Sequence, residues 1–153
     1  MGNFFRGILL VIIFAVIILQ LVKPDTVNPD ENRTKSITLN VRVPENVQRK
    51  LEASCYDCHS YRTDWPWYST ISPIVYLIKN DVDEGREHLN FSIWSDYDKQ
   101  DQIDLLNEIE KVVKKGEMPL TMYTLFHPSS KLSDQETELI TEWANDSKRI
   151  LSK

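Results

Sequence analysis

Only two cysteines and three histidines occur in this chain of 153 residues. Both cysteines stand in one run, Cys55-Tyr56-Asp57-Cys58-His59. A structural zinc site draws four ligands, usually from two separated pairs. His59 abuts Cys58 and makes a poor tetrahedral corner, so the run argues against such a site. A thioredoxin-like redox pair needs a βαβ setting, whereas the flanking pattern here is helical. Acidic residues are absent before Asp25, and no cysteine offers a lipid-acylation site near the N-terminus. Small residues in an A-x-A-like arrangement are missing after the first apolar run, which ends Gln20-Leu21-Val22-Lys23-Pro24. That absence argues against a cleaved signal peptide.

What is present begins with the C-x-x-C-H run, the attachment signature of a c-type haem. Two thiols at this spacing, at a helix end or in a turn, each reach one vinyl group of a porphyrin. The next histidine then supplies the iron with a proximal nitrogen. Cys55 and Cys58 are therefore the expected points of covalent haem c attachment, and His59 the expected iron ligand.

The first 22 residues predict a transmembrane helix. Phe4 to Val22 is a 19-residue stretch interrupted only by Arg6 among charged residues. At ~1.5 Å per residue it spans roughly 28 Å, close to a bilayer's hydrocarbon thickness. An uncleaved anchor over 1–23 is expected, with the N-terminus in the cytoplasm by the positive-inside rule. The domain would then face the periplasm or cell exterior, where c-type attachment normally takes place. Residues 24–43 are polar and proline-bearing and predict a tether, with 36–43 (SITLNVRV) as a short extended segment. Residues 44–153 form one domain. Of 18 basic residues, 16 follow residue 24, against all 23 acidic ones, which leaves that part a formal charge of −7. The sign argues against nucleic acid as a partner and permits steering toward a basic one.

Four helical patterns organise the domain. The first covers about Glu45 to Ser54 behind Pro44, with Val47, Leu51 and Cys55 on one face. A second opens at Ser72-Pro73 as N-cap and N1, with a stripe of Ile74, Leu77, Ile78 and Val82. A third runs from about Lys99 to Lys115, with Leu105, Leu106, Ile109, Val112 and Val113 inward and Gly116 as a C-terminal cap. The last starts from the capping box Ser133-Asp134-Gln135-Glu136, with Leu139, Ile140, Trp143, Ala144, Ile150 and Leu151 as its stripe. So small an apolar core predicts helices packed around the cofactor.

The second iron ligand is sought downstream. Met118, in Gly116-Glu117-Met118-Pro119, offers a soft thioether just past a helix end, and Met/His ligation raises the reduction potential. Met122 and His127 are the alternatives, while His88 reads as a surface histidine. Trp65 and Trp67 could line the haem by excluding water, and Arg62 and Arg86 could pair with its propionates.

These residues in their order, CYDCHS from Cys55, WPWY from Trp65, EGREHLNFS from Glu84, GEMP from Gly116, HP at His127 and LSDQE from Leu132, closely resemble the bacterial haem-binding domain family. The resemblance covers about residues 40–150. It implies an all-α, cytochrome c-like fold wrapped around one haem, with Cys55 and Cys58 as attachment points and His59 as proximal ligand. Met118 matches the methionine of the family's GEMP stretch. Tyr61 departs from the pattern, which has a smaller polar residue there. Two functions fit. One is a single-haem electron carrier with a redox partner protein. The other is a peroxidase-like or gas-binding protein with an open or labile sixth iron site.

Overall fold

The computed structural model describes residues 2–153. The chain is all-α, with no strand among the described residues. Helix α1 (Gly2–Leu21) is apolar on every side and long enough to cross a membrane, with none of Phe4–Leu21 buried in the protein. Leaving a large apolar side chain in water forgoes about 1.5–3 kcal/mol, so this helix calls for an apolar surrounding. Its C-terminal end is fastened to the domain. The Gln20 amide and the Lys23 ammonium both donate to the Thr70 carbonyl, at 3.0 and 2.7 Å.

Beyond it the chain folds as α2 (Ile37–Asn40), α3 (Glu45–Ser54), α4 (Tyr56–His59), α5 (Ile74–His88), α6 (Lys99–Lys114), α7 (Thr121–Phe126) and α8 (Asp134–Leu151). Short 3₁₀ turns intervene at Arg33–Lys35, Trp67–Thr70, Phe91–Asp96 and Pro128–Ser130. Helices α6 and α8 form the most extensive pair, and α3 packs on α8. Leu106, Ile109 and Val113 of α6 and Ile140, Trp143 and Ala144 of α8 are buried, as the two stripes predict. Ile150 of the second stripe is exposed. The capping box at Ser133 is formed in both directions.

Two expectations are corrected. The first is residues 36–43, which do not run extended. Ile37 begins a helical turn, is fully buried, and joins Trp94 and Phe91 in the core. The preceding residues are tied down as well: Glu31 accepts from the Ser92 hydroxyl at 2.7 Å, and Lys35 meets Asp96 at 2.8 Å. The second concerns the start of α5. Ser72 makes no side-chain cap, and its hydroxyl donates instead to the Leu19 carbonyl of α1 at 2.9 Å. The buried face of α5 is Val75, Val82 and Gly85, whereas Ile74 and Leu77 point outward. Periodicity identifies an apolar stripe but not what the stripe faces.

Candidate functional site

The C-x-x-C-H run is bent by its first cysteine. Cys55 ends α3 with φ −131° and ψ −36°, and α4 then turns once through Tyr56–His59. Both cysteines are free and half-buried. A cavity of about 360 Å³ opens beside them, with Cys55, Cys58, His59 and Met118 all on its wall. Leu51, Leu89, Phe91, Ile109, Val113 and Leu120 make that wall apolar.

Helix α5 positions the motif by close approach. A Cβ added to Gly85 would lie 2.7 Å from the Cys58 carbonyl oxygen and 3.0 Å from its Cβ, so only glycine lets the two backbones meet. The same contact orients the histidine. His59 Nδ1 lies 2.8 Å from the Gly85 carbonyl and 3.1 Å from that of Leu89. Both partners are acceptors, so Nδ1 carries the proton and Nε2 keeps its lone pair, the state an iron-ligating imidazole requires. Burial holds the His59 pKa below its ordinary value, against the opposing pull of the Leu89 and Gly85 carbonyls. The imidazole is accordingly neutral at pH 7. Phe91 stands edge-on to it, with ring centres 6.3 Å apart.

Burial pushes both thiols up to about 12. The neighbouring Cys58 adds to the effect at Cys55, and Asp57 and Asp81 add to it at Cys58. They therefore stand as protonated, unpaired thiols facing an apolar cavity, not as metal-binding thiolates.

Gly116 delivers Met118 to the cavity. It takes φ +68°, and the Glu117 and Met118 amides both donate to the Val112 carbonyl, at 2.9 and 3.3 Å. This closes α6 and swings the chain back toward the wall. The competing ligands are elsewhere. Met122 is exposed and His127 is held by Tyr68 and Tyr123, and neither lines the cavity. His88 is exposed on α5 but does reach the cavity edge, beside Asp81, Glu84 and Glu108.

Trp65, Trp67, Arg62 and Arg86 are not among the residues lining the cavity. Trp67 is largely in solvent. The guanidinium of Arg86 is satisfied by Ser60, Asn28 and Thr63, at 2.9 Å each. Arg62 lies 3.4 Å from Glu31 and over the ring of Tyr56. Both arginines thus fasten residues 28–31 to the domain. Besides Gly85, the roles of Asp57 and Tyr123 escaped the sequence reading. The Tyr123 hydroxyl donates to Asp57 Oδ2 at 2.6 Å, tying α7 to α4 beside the cavity. Burial, and then that bond, push the Tyr123 pKa up.

Free thiols, a correctly protonated imidazole, a thioether and apolar walls suit a haem. Residues 14–146 match the haem-binding domain family. The chain is 32% identical over 121 residues to the cytochrome c peroxidase Ccp of Escherichia coli (strain K12). That match takes in 74% of this chain and 26% of the relative, so the chain spans about a quarter of that protein's length. No solved structure matches.

Proposed function

This chain belongs to the haem-binding domain family, and from that premise we propose that it is a membrane-anchored, single-haem, c-type electron carrier. The observation that carries the reading is His59. Its Nδ1 is committed to two backbone carbonyls, and it shares one cavity wall with both cysteines and Met118. Cys55 and Cys58 would hold the haem through thioethers, each thiol S–H adding across one vinyl C=C with no by-product. His59 Nε2 and the Met118 sulfur would hold its iron. A bound haem supplies a one-electron iron centre, and Met/His ligation raises its potential. Leu51, Ile109 and Val113 keep water from it. Helix α1 holds the protein in the cytoplasmic membrane, with the domain on the outer side. The acidic residues at the cavity edge, together with the charge of −7, suit a basic redox partner.

Acid-acetone extraction of protein matured with a c-type system tests attachment: haem should stay with the polypeptide, and its release into the solvent would refute the thioethers. Met118→Ala should abolish the sulfur-to-iron charge-transfer band of the oxidised form and lower the potential, whereas Met122→Ala and His127→Ala should leave both unchanged. Protease added to intact spheroplasts should digest the domain.

A second reading is favoured by the peroxidase name of the relative: a haem enzyme or gas sensor whose sixth iron site is open or labile. Carbon monoxide separates the two. Reduced wild-type protein that binds it readily, without the Met118 substitution, belongs to the second class.

A further inference from the structure

Exposed apolar side chains outside α1 are concentrated in one place. Eight of the eleven large ones beyond Lys23 fall within residues 67–77 and 120–126. Residues 65–78 and 118–126 also contain no charged side chain, in a chain that is 27% charged. The two segments are joined, since the rings of Tyr68 and Phe126 lie 5.6 Å apart and the Tyr68 hydroxyl is 3.3 Å from His127 Nε2.

The first segment is bonded to the end of α1. Thr70 accepts from Gln20 and Lys23, the Ser72 hydroxyl donates to the Leu19 carbonyl, and the Tyr76 hydroxyl donates to the Val22 carbonyl. Residues 70–76 are thereby held at the level where the apolar helix ends. Trp67, Tyr68 and Tyr76 are there too, and indole and phenol rings favour the headgroup level of a bilayer.

We infer that Trp67, Ile71, Leu77, Met122, Leu125 and Phe126 form a lipid-docking face that enters the leaflet from which α1 emerges. The occupant is the boundary between phospholipid headgroups and acyl chains. The two segments carry no charge of their own, they are continuous with the membrane-crossing helix, and α1 already holds them there. Helix α7 also contributes Tyr123 to the haem cavity, so the cavity rests against the membrane instead of standing off on a stalk. The inference depends on the membrane-anchored reading.

Photocrosslinking tests both separately. A benzophenone side chain is placed at Leu77, Leu125, Phe14 of α1 or Glu142 of α8, in the full haem-loaded chain reconstituted into phosphatidylcholine liposomes. Lipid adducts at Leu77 and Leu125 should exceed those at the exposed Glu142 by about tenfold, as at Phe14. Adducts at Phe14 alone would leave the anchor standing and overturn the docking face. Background labelling at Phe14 would overturn the anchor, and the docking face with it. Crosslinks from Leu77 and Leu125 to protein in place of lipid would make the face a protein interface and refute the inference.

Discussion

Gly85 shows how narrowly single residues set the site. Replacing glycine by alanine within a helix ordinarily gains ~1 kcal/mol of helix propensity. Here the new Cβ would meet the Cys58 backbone at 2.7 Å, and overpacking of this kind costs about 1–3 kcal/mol. The neighbour is backbone and cannot swing away, so the clash wins. Gly85→Ala should lower the melting temperature and reduce the haem-to-protein ratio after maturation, and a raised melting temperature would contradict the account. Gly116→Ala acts differently. Open space surrounds that position, but φ +68° costs a non-glycine residue about 1–2 kcal/mol. Relaxing the strain shifts Met118, so the sulfur-to-iron band should weaken even where the protein still folds. That Cys55, Cys58 and His59 share one cavity wall was legible, because local spacing brings them together. Gly85, Asp57 and Tyr123 were not, because each acts through a partner distant in sequence.

At the scale of elements, local rules succeeded where the partners are local. The box at Ser133 needs only residues three apart, and it forms as written. Its carboxylate also meets Lys50 at 2.7 Å. Lys50 chiefly, then the Ser133 amide and hydroxyl, hold the Glu136 pKa at about 2, below its ordinary 4.5. A depressed carboxylate stabilises the fold above its unfolded pKa and loses that contribution as pH falls through the folded one. Glu136→Gln should therefore destabilise the protein at pH 7, by about 0.5–1 kcal/mol once solvent screening of this half-buried surface pair is allowed for. The difference between the two proteins should shrink from about pH 4.5 down toward 2 in denaturation experiments. A gap that persists unchanged at low pH would assign the effect to helix packing. The opening of α5 went the other way, since Ile74 and Leu77 satisfy the helical period yet face outward. The start of α5 is instead set by Ser72 and Tyr76, which bond to the end of α1, and no single-helix pattern encodes such a partner.

For the whole molecule, the decisive question is whether residues 24–43 are a tether or part of the body. Their polarity and prolines read as a linker, and one fully buried apolar side chain leaves no helical period. Yet Ile37 is fully buried in the core that holds Trp94 and Phe91. Arg86 reaches Asn28 and Ser92 reaches Glu31, so the segment is stitched down from both sides. With the end of α1 bonded to Thr70, the apolar helix and the cavity become parts of one connected body, and their separation is fixed by packing. Ile37→Ala in the full chain should then cost about 2–4 kcal/mol, the usual result of deleting a buried aliphatic side chain. Leu39→Ala, two residues on and exposed, should stay within about 0.5 kcal/mol. Denaturant titration of both variants in detergent decides it. Equal, small effects would restore the tether, whereas a large effect confined to Ile37 means that lengthening 24–43 with flexible residues cannot free the domain from α1 without first unfolding part of it.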